Sequence, residues 1–285
     1  NIYIYIMKIA LLLTGNIRSF FNNNNYIAKK YLDIVESQNI DVFIFTENND
    51  FNIDGIQYFS DKNQSKILGN PDIPQVNIRK YCNNYKFIDY NNAIKIINNK
   101  FNELFGDKLK KIIIEDFDDN LLSKIYDKSN INHNIFMNTN SSIERKNALM
   151  CQFYKLYSGY NLLVEYEKFN NFKYDMIIRS RFDGFFEMNK INLHTLDINN
   201  KVFCEGNKIH MFDWWAIGNR YIMDKYCSYY KNISPNLVKN KKVFKGNEDI
   251  SDSSEVGLTY TLEKYNYIPF YNHNIKLDLT HKFYK

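Results

Sequence analysis

KIALLLTGNIRSF, residues 8–20, holds an apolar run of strand length, Lys8–Leu13, that breaks at Thr14-Gly15-Asn16. A run without alternation marks a strand covered on both faces, as in the middle of a parallel sheet. Working outward, Tyr26–Ser37 places Ile27, Tyr31, Ile34 and Val35 at helical spacing, and DVFIFT, Asp41–Thr46, is a second buried strand. Strand, helix, strand with short links is how a parallel α/β sheet begins. The chain then predicts a helix over Asn91–Phe105, a strand over Lys111–Ile114 and a helix over Asp119–Tyr126. Its longest helix is predicted at Ile143–Phe169, leading into a strand at Met176–Ile178. Val202–Glu205, Trp214–Ile217 and Ile268–Tyr271 read as strands, Arg220–Tyr230 and Ser254–Tyr265 as helices. Residues 48–85 and 127–142 are polar and read as irregular. The expected fold is α/β: a mixed, mostly parallel, Rossmann-like sheet flanked by helices in one domain.

With 285 residues, 45% of them hydrophobic, the chain is long enough to bury a large core. Its net charge of +5 raises a nucleic-acid reading. Lys far outnumbers Arg, however, and Asn, Ile, Tyr and Phe are abundant, so a base-composition bias accounts for the mild basicity. No block of five or six like charges forms a nucleic-acid arm, and no nucleic-acid partner is expected. Cys82, Cys151, Cys204 and Cys227 are scattered without a CxxC, which points to a reducing compartment. The apolar N-terminus is interrupted by Lys8 and falls short of the ~20 residues of a membrane span. The expectation is a soluble, cytoplasmic protein without a transmembrane segment, starting naturally at Met7, with residues 1–6 an extension.

YDMIIRSRFDG, residues 174–184, ends its apolar run with Arg179, Arg181 and Asp183 at every second position. Alternate residues of a strand share a face, and ligands of open α/β sheets bind outside the C-terminal strand ends. Arg supplies a donor fork for phosphate, and an Asp beside it suits a hard cation that itself holds phosphate oxygens. A ladder of ion pairs on a solvated face is the alternative, but two arginines against one carboxylate leave positive charge that asks for an anion. In LLLTGNIRSF the single Gly15 permits a tight turn, and Arg18 follows within reach of an anion held there, although a plain strand–turn explains the pattern equally. FDWWAIGNR sets Asp213 before the chain's two tryptophans, Trp214 and Trp215. A carboxylate beside aromatic faces is one way to hold a sugar ring; core packing is the other reading. Asp116 and Asp118 form a literal D-x-D that helix capping explains, which leaves it second choice as a metal site. Glu255 stands in the first turn of a predicted helix, where the helix dipole favours it.

The order of these motifs resembles glycosyltransferases with a GT-A-type fold from large DNA viruses and bacterial surface-polysaccharide clusters. The stretches that carry it are TGNIRSF, DVFIFT, QFYKLYSGYNLLVEYE, KYDMIIRSRFDGFF and FDWWAIGNRYIMDKY. They span roughly Met7–Tyr271, with a loose match over residues 48–140. In that family R-x-R-x-D stands where other members have D-x-D. The resemblance implies a nucleotide-sugar donor of UDP or GDP type, a glycan acceptor, and Mn or Mg as divalent cation. By motif position Thr14, Gly15 and Arg18 line the nucleotide pocket, Arg179 and Arg181 face the diphosphate, and Asp183 holds the metal. Gln152 and Lys155 on the long helix add donor contacts. Asp213, with Glu255 as second choice, is the catalytic base; Trp214 and Trp215 receive the acceptor. Residues 7–183 form the donor half and 184–285 the acceptor half. A non-catalytic carbohydrate-binding protein is the competing expectation.

Overall fold

The computed structural model describes residues 7–21, 26–48, 50–64, 85–116, 125, 143–182, 193, 196–199, 201–206, 211–232 and 268–271. Side chains of several of these, among them 143–149, 211–213 and 268–271, lie outside the description. The strands are β1 (Ile9–Thr14), β2 (Arg18–Phe21), β3 (Asp41–Glu47), β4 (Asp50–Ile53), β5 (Ile56–Ser60), β6 (Tyr85–Ile88), β7 (Leu109–Glu115), β8 (Met176–Ser180), β9 (Lys201–Gly206), β10 (Met211–Asn219) and β11 (Ile268–Tyr271). The helices are α1 (Tyr26–Ser37), α2 (Tyr90–Phe105), α3 (Ile143–Phe169), α4 (Arg220–Cys227) and α5 (Tyr229–Asn232).

Seven strands form the main sheet in the order β11-β9-β10-β8-β1-β3-β7. β1 pairs in parallel with β3 and β8, β3 with β7, and β9 with β11. β10 alone runs antiparallel, against both β8 and β9. The chain is therefore α/β with a mixed, mostly parallel sheet. All six residues of β1 are buried, as its continuous apolar run requires at the centre of such a sheet.

Two cores cover the sheet. On one face Ile9, Leu11, Leu13, Ile44 and Ile178 meet α1 and α2. α2 presents Ala93, Ile97, Phe101 and Phe105, spaced four apart, and is capped by Asp89, whose carboxylate accepts from the Asn92 N–H at 3.0 Å. On the other face Ala10, Leu12, Phe43 and Phe45 meet α3, which is itself covered by α5 through the Phe153–Tyr229 and Tyr154–Tyr230 ring pairs.

Three expectations need correction. Residues 50–60 are a hairpin, β4–β5, inside a second sheet ordered β2-β4-β5-β6. Ile53 faces Ile56 across a two-residue turn, Asp54-Gly55, whose φ angles are 52° and 78°. That dipeptide is the preferred hairpin turn for a right-twisted ribbon; the surrounding Asn and Asp hid it. The helix expected over Arg220–Tyr230 breaks at Ser228 into α4 and α5. β8 carries its first arginine inward: Arg179 is only 1% exposed. The expected helices at Asp119–Tyr126 and Ser254–Tyr265 and the polar stretch 127–142 fall outside the described residues, apart from Ile125. Among the described residues no helix is long and apolar enough to cross a membrane.

Candidate anion-binding site

From β1 the chain passes through α1 to β3 and through α2 to β7, using one face of the sheet. It then crosses on the opposite face through α3 and returns to β8 on the other side of β1. The strand order reverses between β1 and β8, and open α/β sheets bind ligands outside the C-terminal strand ends at such a point. The last β1–β8 partners are Leu13 and Ser180. Thr14, Gly15 and Arg181 follow at the rim.

The β1 rim is pinned to β3. Gly15, at φ 118°, donates its N–H to the Phe45 carbonyl at 3.2 Å, and its own carbonyl accepts from Thr46 Oγ1 at 2.8 Å. That φ is open to glycine and strained for other residues. Arg18 also has positive φ, 45°, a conformation that costs an ordinary residue about 1–2 kcal/mol. Strain of this size is the kind found where the backbone is shaped for a ligand.

α3 passes close over this rim because Gly159 has no side chain. A Cβ there would sit 2.8 Å from Thr14 Cγ2 and 3.1 Å from Phe45 Cβ. One turn earlier, Lys155 reaches down to Glu47 Oε2 at 2.6 Å and Asn16 Oδ1 at 2.7 Å. Both charged side chains are almost wholly enclosed, 6% and 3% exposed. Lys155, expected to contact the donor, is thus held by Glu47 and Asn16. Further along the rim Tyr154 donates to Glu115 Oε1 at 2.6 Å. Burial pushes the Cys151 thiol up to about 11 against the opposing pull of Lys155. It also raises Asp50 above the usual carboxylate range, although Arg18 draws it down.

Among the described residues Arg179, unlike Lys155, has no counter-ion. It pairs with Leu12 of β1 and Ala216 of β10 and lies on the α3 side of the sheet, as the alternation predicts, while Ser180 turns to the other side to meet Tyr31 Oη at 2.5 Å. The guanidinium Nε and Nη1 are buried without a hydrogen-bond partner. Its charge is felt by the Cys227 thiol, which burial nonetheless holds well above its ordinary range. A buried ion without compensation loses several kcal/mol of hydration, so this is a place where an anion is strongly favoured. Two neutral groups share the situation: Gln152 Nε2 and Thr14 Oγ1 are buried and unbonded.

The remaining candidates distribute as follows. Arg181 is half-buried and its backbone N–H donates to the Trp214 carbonyl at 2.9 Å, tying the rim to β10. Trp215 is wholly buried in the core on the α1 side and offers no ring face to an acceptor; its half-buried neighbour Trp214 keeps that option. Asp116, the first acid of D-x-D, accepts from Asn48 and forms an ion pair with Lys62, so it is engaged by protein groups. Asp183, Glu255, Asp118 and the side chain of Asp213 lie outside the described residues. Among the described residues no cluster of three or more His, Cys, Asp or Glu is placed to hold a metal. Sequence reading missed Glu47, Asn16, Asp50 and Gly159. Glu47 was in view as the residue after DVFIFT, but its partner lies on a helix that starts about a hundred positions later.

No family model, curated protein or solved structure matches the chain.

Proposed function

We propose that the chain is a glycosyltransferase that moves a sugar from a nucleotide-diphosphate donor to a hydroxyl of a glycan or related acceptor. The observation that carries this reading is the buried, uncompensated guanidinium of Arg179 at the switch point of an open α/β sheet. As the bond between the anomeric carbon and the diphosphate breaks, negative charge grows on the leaving group. A fixed cation in a water-poor site stabilises that charge more in the transition state than in the bound donor. Arg179 supplies the charge, Gln152 and Thr14 supply neutral polar contacts, and Arg18 and Gly15 shape the pocket rim. In an inverting course the carboxylate of Asp213 takes the acceptor's proton, with Glu255 in reserve.

The described donor set at the switch point is cationic or neutral, which fits a diphosphate. Of the acids nearby, Glu47 is committed to Lys155, Glu115 accepts from Tyr154, and burial shifts Asp50 toward its neutral form. Mn or Mg, when bound through Asp183, would add positive charge on the same diphosphate. The burial of Trp215 removes half of the aromatic platform on which a purely carbohydrate-binding reading rests. A melting-temperature panel of UDP, GDP, CMP and TDP, each with and without Mn, tests the proposal. Stabilisation by at least one of them is expected; a flat response to all eight conditions sinks it.

A further inference from the structure

We infer that Lys155 is a positioning residue: it holds the Gly15–Arg18 turn in shape through Asn16 and does not itself touch the donor. This rests on the transferase reading only for what the turn contacts. Gly15 and Arg18 both have positive φ, 118° and 45°, and Arg18 is not a residue that adopts such a conformation without strain. A turn of this kind persists only where its surroundings over-determine it. β3 secures the first residue, since the Gly15 N–H donates to the Phe45 carbonyl and Thr46 Oγ1 donates to the Gly15 carbonyl. Asn16 comes next, and its Oδ1 accepts from Lys155 Nζ at 2.7 Å.

The far end of that bond is firmly anchored. Lys155 is 6% exposed and stands 2.6 Å from Glu47 Oε2 on β3. One turn further along α3, Gly159 lies so close to the sheet that a Cβ would sit 2.8 Å from Thr14 Cγ2. The charges on this rim are answered within the protein. Glu47 pairs with Lys155, and Glu115 accepts from Tyr154. Asp50, whose carboxyl burial raises, feels Arg18 and Lys155 as well as Glu47. With its charge met by Glu47, the Lys155 ammonium adds direction rather than attraction for a ligand. It fixes where Asn16 stands, and so where Arg18 leaves the turn.

The experiment follows amide hydrogen exchange of the full chain at Gly15 and Phe20, whose N–H groups donate to the Phe45 and Ile17 carbonyls. Urea unfolding and calorimetric titration with UDP and GDP accompany it. Asn16→Leu removes the tether and leaves the Glu47–Lys155 pair in place. Exchange at both amides should quicken about 10- to 150-fold, the scale of one hydrogen bond to a charged group, at an unchanged urea midpoint. Binding of UDP or GDP should weaken within the same range. The double variant Lys155→Met/Glu47→Leu loses the tether by another route and should loosen the turn equally, which keeps the test decisive where Asn16→Leu fails to fold. Unchanged turn exchange in these variants overturns the inference and leaves the transferase reading standing. Faster exchange with undiminished nucleotide binding also overturns it, because the turn then positions nothing. So does a urea midpoint that falls in step with faster exchange at every amide, the mark of a purely structural bond. A wild-type protein that binds neither UDP nor GDP removes the transferase reading and the positioning role with it.

Discussion

Replacing Lys155 by Met removes the cation paired with the enclosed Glu47 carboxylate, and replacing Glu47 by Leu leaves the Lys155 ammonium with Asn16 and the charge of nearby Asp50. The pair is short, 2.6 Å, and both side chains are under a tenth exposed. Breaking such a pair from one side costs about 3–5 kcal/mol, because the surviving charge stays buried. Replacing both partners by apolar groups of similar volume is neutral or stabilising. The double variant Lys155→Met/Glu47→Leu is therefore expected near wild-type stability while each single variant falls well below it, a coupling of about 3–5 kcal/mol or more. Near the melting midpoint each single variant should lose roughly 6–20 °C, at about 2–4 °C per kcal/mol for a domain of this size. The assay is urea unfolding of all four proteins, followed by circular dichroism at fixed pH and salt. Single variants that lose less than about 1 kcal/mol would show a solvated pair of the ordinary surface kind. Additive losses in the double variant would equally refute a buried pair.

Two further outcomes follow from the packing and from the buried acids. Gly159→Ala brings a Cβ within 2.8 Å of Thr14 Cγ2 and 3.0 Å of Leu12 Cδ1. Overpacking of about 1–3 kcal/mol then outweighs the ~1 kcal/mol that Ala gains over Gly inside a helix; a raised melting temperature would show that α3 does not approach the sheet so closely. Stability should also fall at alkaline pH. Burial raises Cys151 from its ordinary 9.0 to about 11 and pushes the Tyr154, Tyr160 and Tyr174 hydroxyls well above their ordinary 10.0. Each group stays protonated in the fold and ionises earlier in the unfolded chain, so its stabilisation is complete below about pH 9 and declines as pH rises toward 11. The expected slope is about 1.4 kcal/mol per pH unit for each such group, read as a falling urea midpoint; a midpoint constant from pH 8 to 11 would contradict this burial.

Elements whose signal is local were legible. β1 and β3 announce themselves by continuous apolar runs, and α3 spans Ile143–Phe169 as its spacing predicts. The alternation of YDMIIRSRFDG correctly sends Arg179 and Ser180 to opposite sides of the strand. What the stretch does not contain is the cover over Arg179: that comes from α3 and from the segment bearing Cys227, far along the chain, so a residue read as emerging at the surface is enclosed. The same holds for the Glu47–Lys155 pair, joined across 108 positions, since no local pattern encodes a contact made only when α3 crosses the sheet. The β4–β5 hairpin is the opposite failure. Its Asp54-Gly55 turn is a short-range signal, outweighed in reading by the polar residues around it.

Arg179 is a poor choice for stability alone. A Met or Leu at that place would fill a similar volume, leave no unbonded N–H groups and lose no hydration, and buried ions replaced in this way commonly leave proteins as stable or more so. The neighbouring Lys155 shows that this fold can pair a buried cation when it is there for structure: it has Glu47 and Asn16 within 2.7 Å. The absence of such partners on Arg179, among the described residues, is what the proposed anion-binding role rests on. Arg179→Met should melt at or above the wild-type temperature while losing anion binding, the opposing signs expected where a site holds strain for the sake of its ligand. A variant that melts lower and still binds nucleotide would make Arg179 a structural residue with a partner of its own, and the switch point would lose its main attraction for a diphosphate.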